Sequence, residues 1–152
     1  MDAEPTLAAV TRALARQHFD VVLIGNAAAA LQGAPVTTLD FDFMFRKTAR
    51  NLQKLRALAD DLGAVVLRPY YPVSELYRVM RDVGNLQLDF MARVDGIPSF
   101  EALRARATAA AFGGHELLVA ALEDVIRSKQ AAGRPQDRAV LPVLRATLRG
   151  RR

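Results

Sequence analysis

Residues 21–45 read VVLIGNAAAALQGAPVTTLDFDFMF, and the rest of the chain is organised around this stretch. The run 21–24 is apolar and rich in β-branched residues, which predicts a short buried strand. Gly25 then permits a sharp turn into an alanine-rich helix over residues 27–32, with Asn26 as its expected cap. A glycine at such a turn lets a phosphate approach backbone N–H groups, although many similar turns bind no ligand.

Two aspartates lie at the end of this stretch. Apolar residues alternate with Asp40, Asp42 and Met44 over residues 39–45, which predicts a half-buried strand with both carboxylates on one face. The Cα atoms of residues two apart on a strand lie about 6 to 7 Å apart. Two carboxylates at this spacing favour a shared divalent cation.

Composition predicts one soluble domain of 152 residues, with a core over about 20–112 and a helical part over about 115–150. The hydrophobic content of 51% is ample for a core. No apolar run approaches the roughly 20 residues of a membrane span, and residues 1–5 are acidic where a signal peptide is basic. We therefore expect a cytoplasmic protein.

The residue types limit the choice of metal. The chain has no cysteine, and its two histidines, His18 and His115, are too far apart in sequence to form a zinc-ligand motif. A metal would therefore be held by oxygen atoms, which favours Mg²⁺ or Mn²⁺.

Positive charge is concentrated at the C-terminal end. Residues 127–152 include eight basic residues and one acid, for a net charge of +7, while the whole chain carries +5. This distribution suits an anionic partner such as RNA or a nucleotide. A solvated helix face is the alternative interpretation.

The remaining pattern predicts further helices and strands around these features. Asp89 alternates with apolar neighbours and is a candidate third carboxylate, or else an exposed acid on a hairpin strand. We expect Pro142 to kink the last helix or to delay its start. The predicted helices cover about residues 5–17, 48–62, 99–107, 118–132 and from 135 onward, and the predicted strands cover 64–67, 76–81, 86–92 and 108–112.

Two motifs together resemble the nucleotidyltransferase superfamily. The first is GNAAAALQG at residues 25–33 followed by TLDFD at residues 38–42, and the second is LEDVIRSKQAAGRPQD at residues 122–137. The sequence is most similar to small bacterial members, including the AbiEii-type toxins of toxin-antitoxin systems. With Asp89 between the two motifs, the resemblance spans about residues 21–137.

The resemblance implies an α/β (α+β) fold, with a small mixed β-sheet flanked by helices and with C-terminal helices. It implies transfer of a nucleoside monophosphate from an NTP to a hydroxyl or RNA 3' end of an acceptor. Two Mg²⁺ ions, or Mn²⁺ in their place, would be held by Asp40 and Asp42, with Asp89 as a ligand of the second ion. The implied metal ligands are Asp40, Asp42 and Asp89. The implied catalytic residues are the same three aspartates and Lys129. Asp89 would also accept the hydroxyl proton. The implied nucleotide-binding residues are Gly25, Asn26, Thr38, Lys129 and Asp137. For Lys129, a favourable position near a helix C-terminus is the alternative reading.

Three positions depart from the family pattern: Asn26 replaces Ser or Gly, Val36 replaces an arginine, and Val140 replaces a second aspartate. We expect nucleotide affinity either to drop or to be supplied by Arg46 or Arg68 in place of the missing arginine. One hypothesis is an active enzyme, such as a toxin that modifies tRNA or a protein hydroxyl and is paired with an antitoxin. The other is a catalytically degenerate module that binds nucleotide, RNA or a protein partner.

Overall fold

The computed structural model describes residues 3–38 and 40–151, and within these ranges the chain forms six helices and one mixed sheet of seven strands. The predicted α/β architecture is confirmed. Leu39, the first residue of the predicted second strand, and the acidic Asp2 lie outside the described residues. The strands are β1 Val21–Ile24, β2 Phe41–Phe45, β3 Val65–Leu67, β4 Tyr77–Arg81, β5 Leu86–Met91, β6 Thr108–Phe112 and β7 His115–Val119. The helices are α1 Ala3–Arg16, α2 Gly25–Leu31, α3 Ala49–Asp61, α4 Phe100–Arg106, α5 Leu122–Ala132 and α6 Pro135–Gly150.

The sheet has the strand order β3-β4-β5-β2-β1-β7-β6. β1 is antiparallel to β2 on one side and parallel to β7 on the other. β2 in turn is parallel to β5, and this register places Asp42 directly opposite Asp89. The carboxylates of two strands far apart in sequence therefore meet near the middle of the sheet.

An aromatic cluster fixes the position of β2 against β5. The rings of Phe43 and Phe90 stack with centroids 5.0 Å apart, and Phe19 stacks on Phe90 at 5.7 Å. The three successive side chains of Phe43, Met44 and Phe45 are all buried. Successive side chains of a strand point to opposite faces, so both faces of β2 are covered here and the predicted half-buried strand is wrong at Met44.

The strand β7 is the main element that the sequence pattern missed. Residue 118 was expected to open a helix, but Leu118 lies in β7 and pairs with Val22 of β1. The four-residue spacing of Leu118 and Leu122 is also typical of a helix. Residue 118 forms a strand instead because β7 pairs with the edge of β1 that β2 leaves open. The hairpin turn at Gly113 and Gly114 joins β6 to β7.

Helix ends agree with the sequence signals in some places and differ in others. Thr48 caps α3 by accepting a hydrogen bond from the backbone N of Asn51 at 3.1 Å, and Gly133 ends α5 with a φ of 62°. The start of α6 is not delayed, because the helix begins at Pro135 and continues through Pro142. Asn26 is not a cap, because α2 begins one residue before it. Within the described ranges, no helix is both long enough and apolar enough to cross a membrane.

Candidate active site

Asp42 and Asp40 reach the site from different kinds of backbone. Asp42 lies within β2, whereas Asp40 lies in a bend before the strand, so the prediction that one strand carries both is wrong for Asp40. The hydroxyl of Thr38 donates to the backbone oxygen of Asp40 at 2.6 Å, which shapes this bend. Both carboxylates nevertheless line one cavity, so the predicted pair is brought together.

Gly25 brings the backbone of the β1–α2 turn against Asp42. Its φ is +70°, a conformation that side chains disfavour, and a Cβ atom there would lie 3.0 Å from Oδ2 of Asp42. A glycine is therefore required both by the turn and by the carboxylate beside it.

The carboxyl group of Asp42 has a strongly altered proton affinity. Burial, then the charges of Asp89 and Asp40, raise the pKa of Asp42 from its ordinary 3.8 to about 6, although the charges of Lys129 and Arg134 act in the opposite direction. A nearby cation would relieve this repulsion. Perturbation of this kind is typical of functional sites.

Asp89 is bound by an arginine of the neighbouring strand. In the antiparallel pair of β4 and β5, Arg78 lies directly opposite Asp89. Nε of Arg78 donates to Oδ1 of Asp89 at 2.8 Å and Nη2 donates to Oδ2 at 3.2 Å. Both oxygens of the predicted third metal ligand are therefore engaged by one guanidinium.

The C-terminal helices bring positive charge to the same cavity. Arg134, just before α6, donates from Nε to Oδ2 of Asp137 at 2.7 Å and from Nη2 to Oδ1 at 3.1 Å. Nζ of Lys129 lies 3.7 Å from Oδ1 of Asp137. The Asp137 side chain is 1% exposed, and the hydrogen bond from Arg134 holds the pKa of Asp137 below its ordinary value. Asp137 thus positions two cations at the cavity.

Lys129 is partly removed from water. Burial lowers the pKa of Lys129, and the charge of Asp137 opposes this effect. An ammonium group that has lost part of its hydration gains more from an anionic ligand than a fully hydrated one.

Two adjoining cavities, of about 610 and 510 Å³, share a row of charged side chains. The larger also contacts Gly25, Tyr70 and Met91, and the smaller also contacts Asn26, Thr38 and Asp40. Every metal-binding, catalytic and nucleotide-binding residue that the sequence resemblance implied therefore borders one cavity or the other. The shared residues are Asp42, Arg78, Asp89, Lys129, Arg134 and Asp137.

The expected replacement arginines lie elsewhere. Arg46 binds Glu101 at 2.6 Å and lies over the ring of Phe100 at 4.4 Å, while Arg68 stacks on Tyr71 at 4.1 Å. Neither residue borders the two cavities. Arg78 and Arg134 border both cavities and Arg93 borders the larger one, and the sequence analysis assigned none of these three to the site.

The residues fit one divalent cation better than two. Within residues 3–38 and 40–151, no group of three His, Cys, Asp or Glu side chains is arranged to hold a metal ion. Mg²⁺, however, commonly uses one or two carboxylates and completes its shell with phosphate oxygens and water. Asp40 and Asp42 meet that requirement, whereas Asp89 is engaged by Arg78.

The side chain of Asn26 has a hydrogen-bond acceptor without a partner. Its Oδ1 atom is buried and has no hydrogen-bond partner among the described residues, and the side chain borders the smaller cavity. A buried acceptor without a partner is costly, so a ligand hydroxyl or a metal-bound water would stabilise it.

Comparison with known proteins adds evidence on the fold. No protein-family model matches the chain, and no curated protein matches its sequence. The protein TM1012 from Thermotoga maritima, provisionally assigned as a nucleotidyltransferase, has a TM-score of 0.67 at 16% identity over 91% of this chain and 89% of its own. The lincosamide antibiotic adenylyltransferase LnuA, solved with lincomycin bound, has a TM-score of 0.67 at 13% identity over 95% and 97%.

A further solved structure gives the same result. ANT(2'')-Ia, in complex with adenylyl-2''-tobramycin, has a TM-score of 0.64 at 15% identity over 95% of this chain and 88% of its own. The chain therefore has the nucleotidyltransferase fold, as the motifs predicted. The narrower resemblance to AbiEii-type toxins stays a prediction.

Proposed function

We propose that this protein is a metal-dependent nucleotidyltransferase that moves a nucleoside monophosphate from an NTP to a hydroxyl group of an acceptor. The observation that carries this proposal is the arrangement of the paired acids Asp40 and Asp42 beside Lys129 and Arg134 in one cavity. Acids suited to a divalent cation and cations suited to phosphate oxygens are the two components that nucleotidyl transfer requires.

The chain's own residues divide the work of binding. Lys129 and Arg134, fixed by Asp137, bind the phosphate oxygens of the NTP. Gly25 keeps the turn open beside Asp42, and Asn26 offers its unpartnered oxygen to the ligand. Asp40 and Asp42 hold Mg²⁺ or Mn²⁺, which when bound offsets the negative charge that builds on the α-phosphate.

The reaction exchanges a phosphoanhydride bond of the NTP for a phosphoester bond to the acceptor. The acceptor oxygen forms a bond to the α-phosphorus, and the bond from that phosphorus to the bridging oxygen of the β-phosphate breaks, which releases pyrophosphate. The hydroxyl proton passes to a carboxylate of the cavity and from there to water. The cavity supplies orientation, charge and partial exclusion of water.

Two observations indicate classes of acceptor. LnuA and ANT(2'')-Ia are antibiotic-modifying proteins by name, and a small hydroxylated molecule is one acceptor class that the cavity of about 610 Å³ has room for. The basic C-terminal residues favour tRNA or another anionic acceptor. A toxin role with a cognate antitoxin follows only from the sequence resemblance. Because NTPs are intracellular substrates, the cytoplasm is the proposed location.

One experiment tests the activity and the acceptor together. The protein is incubated with each α-labelled NTP and Mg²⁺ or Mn²⁺, together with total tRNA, cell extract, lincomycin or tobramycin. Label should move to one acceptor class with the wild type and not with Asp42→Asn. The variant Arg46→Gln is the matched control, since Arg46 lies outside both cavities. Transfer by Asp42→Asn at the wild-type rate would contradict the proposal.

A second candidate is favoured by the pairing of Asp89 with Arg78. If that ion pair reflects a lost catalytic carboxylate, the protein is a nucleotidyltransferase-like module that binds nucleotide or RNA without transfer. Metal-dependent NTP binding with no label transferred to any acceptor would support this candidate over the enzyme.

A further inference from the structure

Three charged side chains form a row across three neighbouring strands. Arg78 of β4 lies opposite Asp89 of β5, and Asp89 lies opposite Asp42 of β2. Directly opposite residues project from the same face of a sheet, and neighbouring strands lie about 4.8 Å apart. The sheet itself therefore places a positive group at the end of a row of two carboxylates.

The contact between Arg78 and Asp89 is well fixed. The two side chains form a bidentate pair, which restricts their relative orientation more than a single hydrogen bond would. Exposure is low, at 24% for Arg78 and 11% for Asp89. Gln87, on the same strand as Asp89, also approaches Oδ2 at 3.5 Å. Both ends of the pair rise from paired strands, so neither is free to move far.

The carboxylates of Asp40 and Asp42 have different surroundings from that of Asp89. Within the described part of the chain, Asp40 and Asp42 form no ion pair. A cation can therefore bind these two groups without displacing a side chain. A second cation at Asp89 would have to displace a guanidinium from both carboxylate oxygens.

We propose that the site takes one divalent cation together with the nucleotide, and that the guanidinium of Arg78 provides the positive charge beside Asp89 in place of a second cation. Asp89 is then a positioning residue that holds Arg78 at the cavity. The Nη1 group of Arg78 is not used by Asp89 and is available to a phosphate or acceptor oxygen. This inference rests on the proposed function.

The number of bound ions tests the inference without an activity assay. Mn²⁺ is titrated into the full-length protein with saturating α,β-methylene analogues of the four common NTPs, and retained Mn²⁺ and analogue are counted by equilibrium dialysis. The wild type should retain one Mn²⁺ per protein with the analogue that binds. Arg78→Gln and Arg78→Ala should each retain two, because Asp89 is then available as a ligand. Circular dichroism establishes that the variants are folded.

A matched control separates this effect from a general loss of positive charge. Arg93 borders the larger cavity, and Arg93→Gln removes one charge without touching the Arg78–Asp89 pair, so its count should remain at one. Two Mn²⁺ ions on the wild type, or one on both Arg78 variants, would overturn the inference while leaving the proposed function in place. If the wild type retains neither Mn²⁺ nor any of the analogues, both the inference and the proposed function are overturned.

Discussion

Replacing Asp42 by asparagine should stabilise the folded protein at neutral pH while it removes activity. The pKa of Asp42 is raised from 3.8 to about 6, so the folded state resists ionisation of this carboxyl more than the unfolded state does. One pKa unit corresponds to about 1.4 kcal/mol. At pH 8 the ionised group therefore costs the folded state about 3 kcal/mol, which Asp42→Asn should recover.

The sign of the pH dependence follows from the proton count. Between pH 3.8 and about 6 the folded state holds the proton that the unfolded state has lost, so the stability of the wild type falls as pH rises. The advantage of Asp42→Asn should therefore shrink to about 0.6 kcal/mol at pH 4. Free energies of unfolding in urea at pH 4, 6 and 8, without metal or nucleotide, measure this difference.

Asp40→Asn is the matched control. Asp40 is exposed and lies in the bend before β2, so its replacement should change stability by less than about 0.5 kcal/mol at any of these pH values. Equal stability of the wild type and Asp42→Asn at pH 8 would refute the claim that Asp42 is a strained carboxylate. Added Mn²⁺ and a bound nucleotide analogue should stabilise the wild type and not Asp42→Asn, since only the wild type retains the ligand pair.

Other perturbations test separate parts of the site. Gly25→Ala should lower the free energy of unfolding by about 1 kcal/mol more than Gly63→Ala does. Both glycines have a φ near +65°, but only at Gly25 does a carboxylate lie against the added Cβ. Equal urea midpoints of the two variants would refute the claim that Asp42 crowds this position. Asp137→Asn should lower the free energy of unfolding by about 3 kcal/mol, since it leaves the largely buried ammonium group of Lys129 without its carboxylate, and an unchanged melting temperature would show that Asp137 is dispensable. Arg134→Ala should weaken binding of the NTP analogue about tenfold, as expected for one charge-assisted hydrogen bond, whereas Arg46→Ala should leave the affinity unchanged. A larger effect of Arg46→Ala than of Arg134→Ala would show that Arg46, and not Arg134, contacts the nucleotide.

The local signals in the sequence were sufficient for the centre of the fold. The apolar run of β1, the glycine turn and the strand that carries Asp42 depend on neighbours only a few residues away, and the structure agrees with them apart from the burial of Met44. The same local reasoning placed Asp40 in a strand, but pairing with β5 begins only at Phe41 and pairing with β1 begins only at Asp42. Strand ends are decided by partners, which local patterns do not contain.

The missed arginines show a different limit. Arg78 enters the site because β4 and β5 form a hairpin, whose register pairs Arg81 with Leu86 and therefore Arg78 with Asp89. The turn at residues 82–85 was predicted, so counting back from it would have identified this pair. Arg134 gave no such signal, because its position depends on how α6 packs against α5.

The order of the charges along the chain has a consequence for synthesis. Asp40, Asp42 and Asp89 precede residue 90, whereas Lys129 and Arg134 follow later in the chain and are synthesised after them. Until α5 and α6 dock, Asp40 and Asp42 carry negative charges that no side chain of the sheet pairs, and these two carboxylates attract Lys129 and Arg134. We expect the last step of refolding to be the docking of these helices, and expect it to slow in stopped-flow experiments as salt concentration rises.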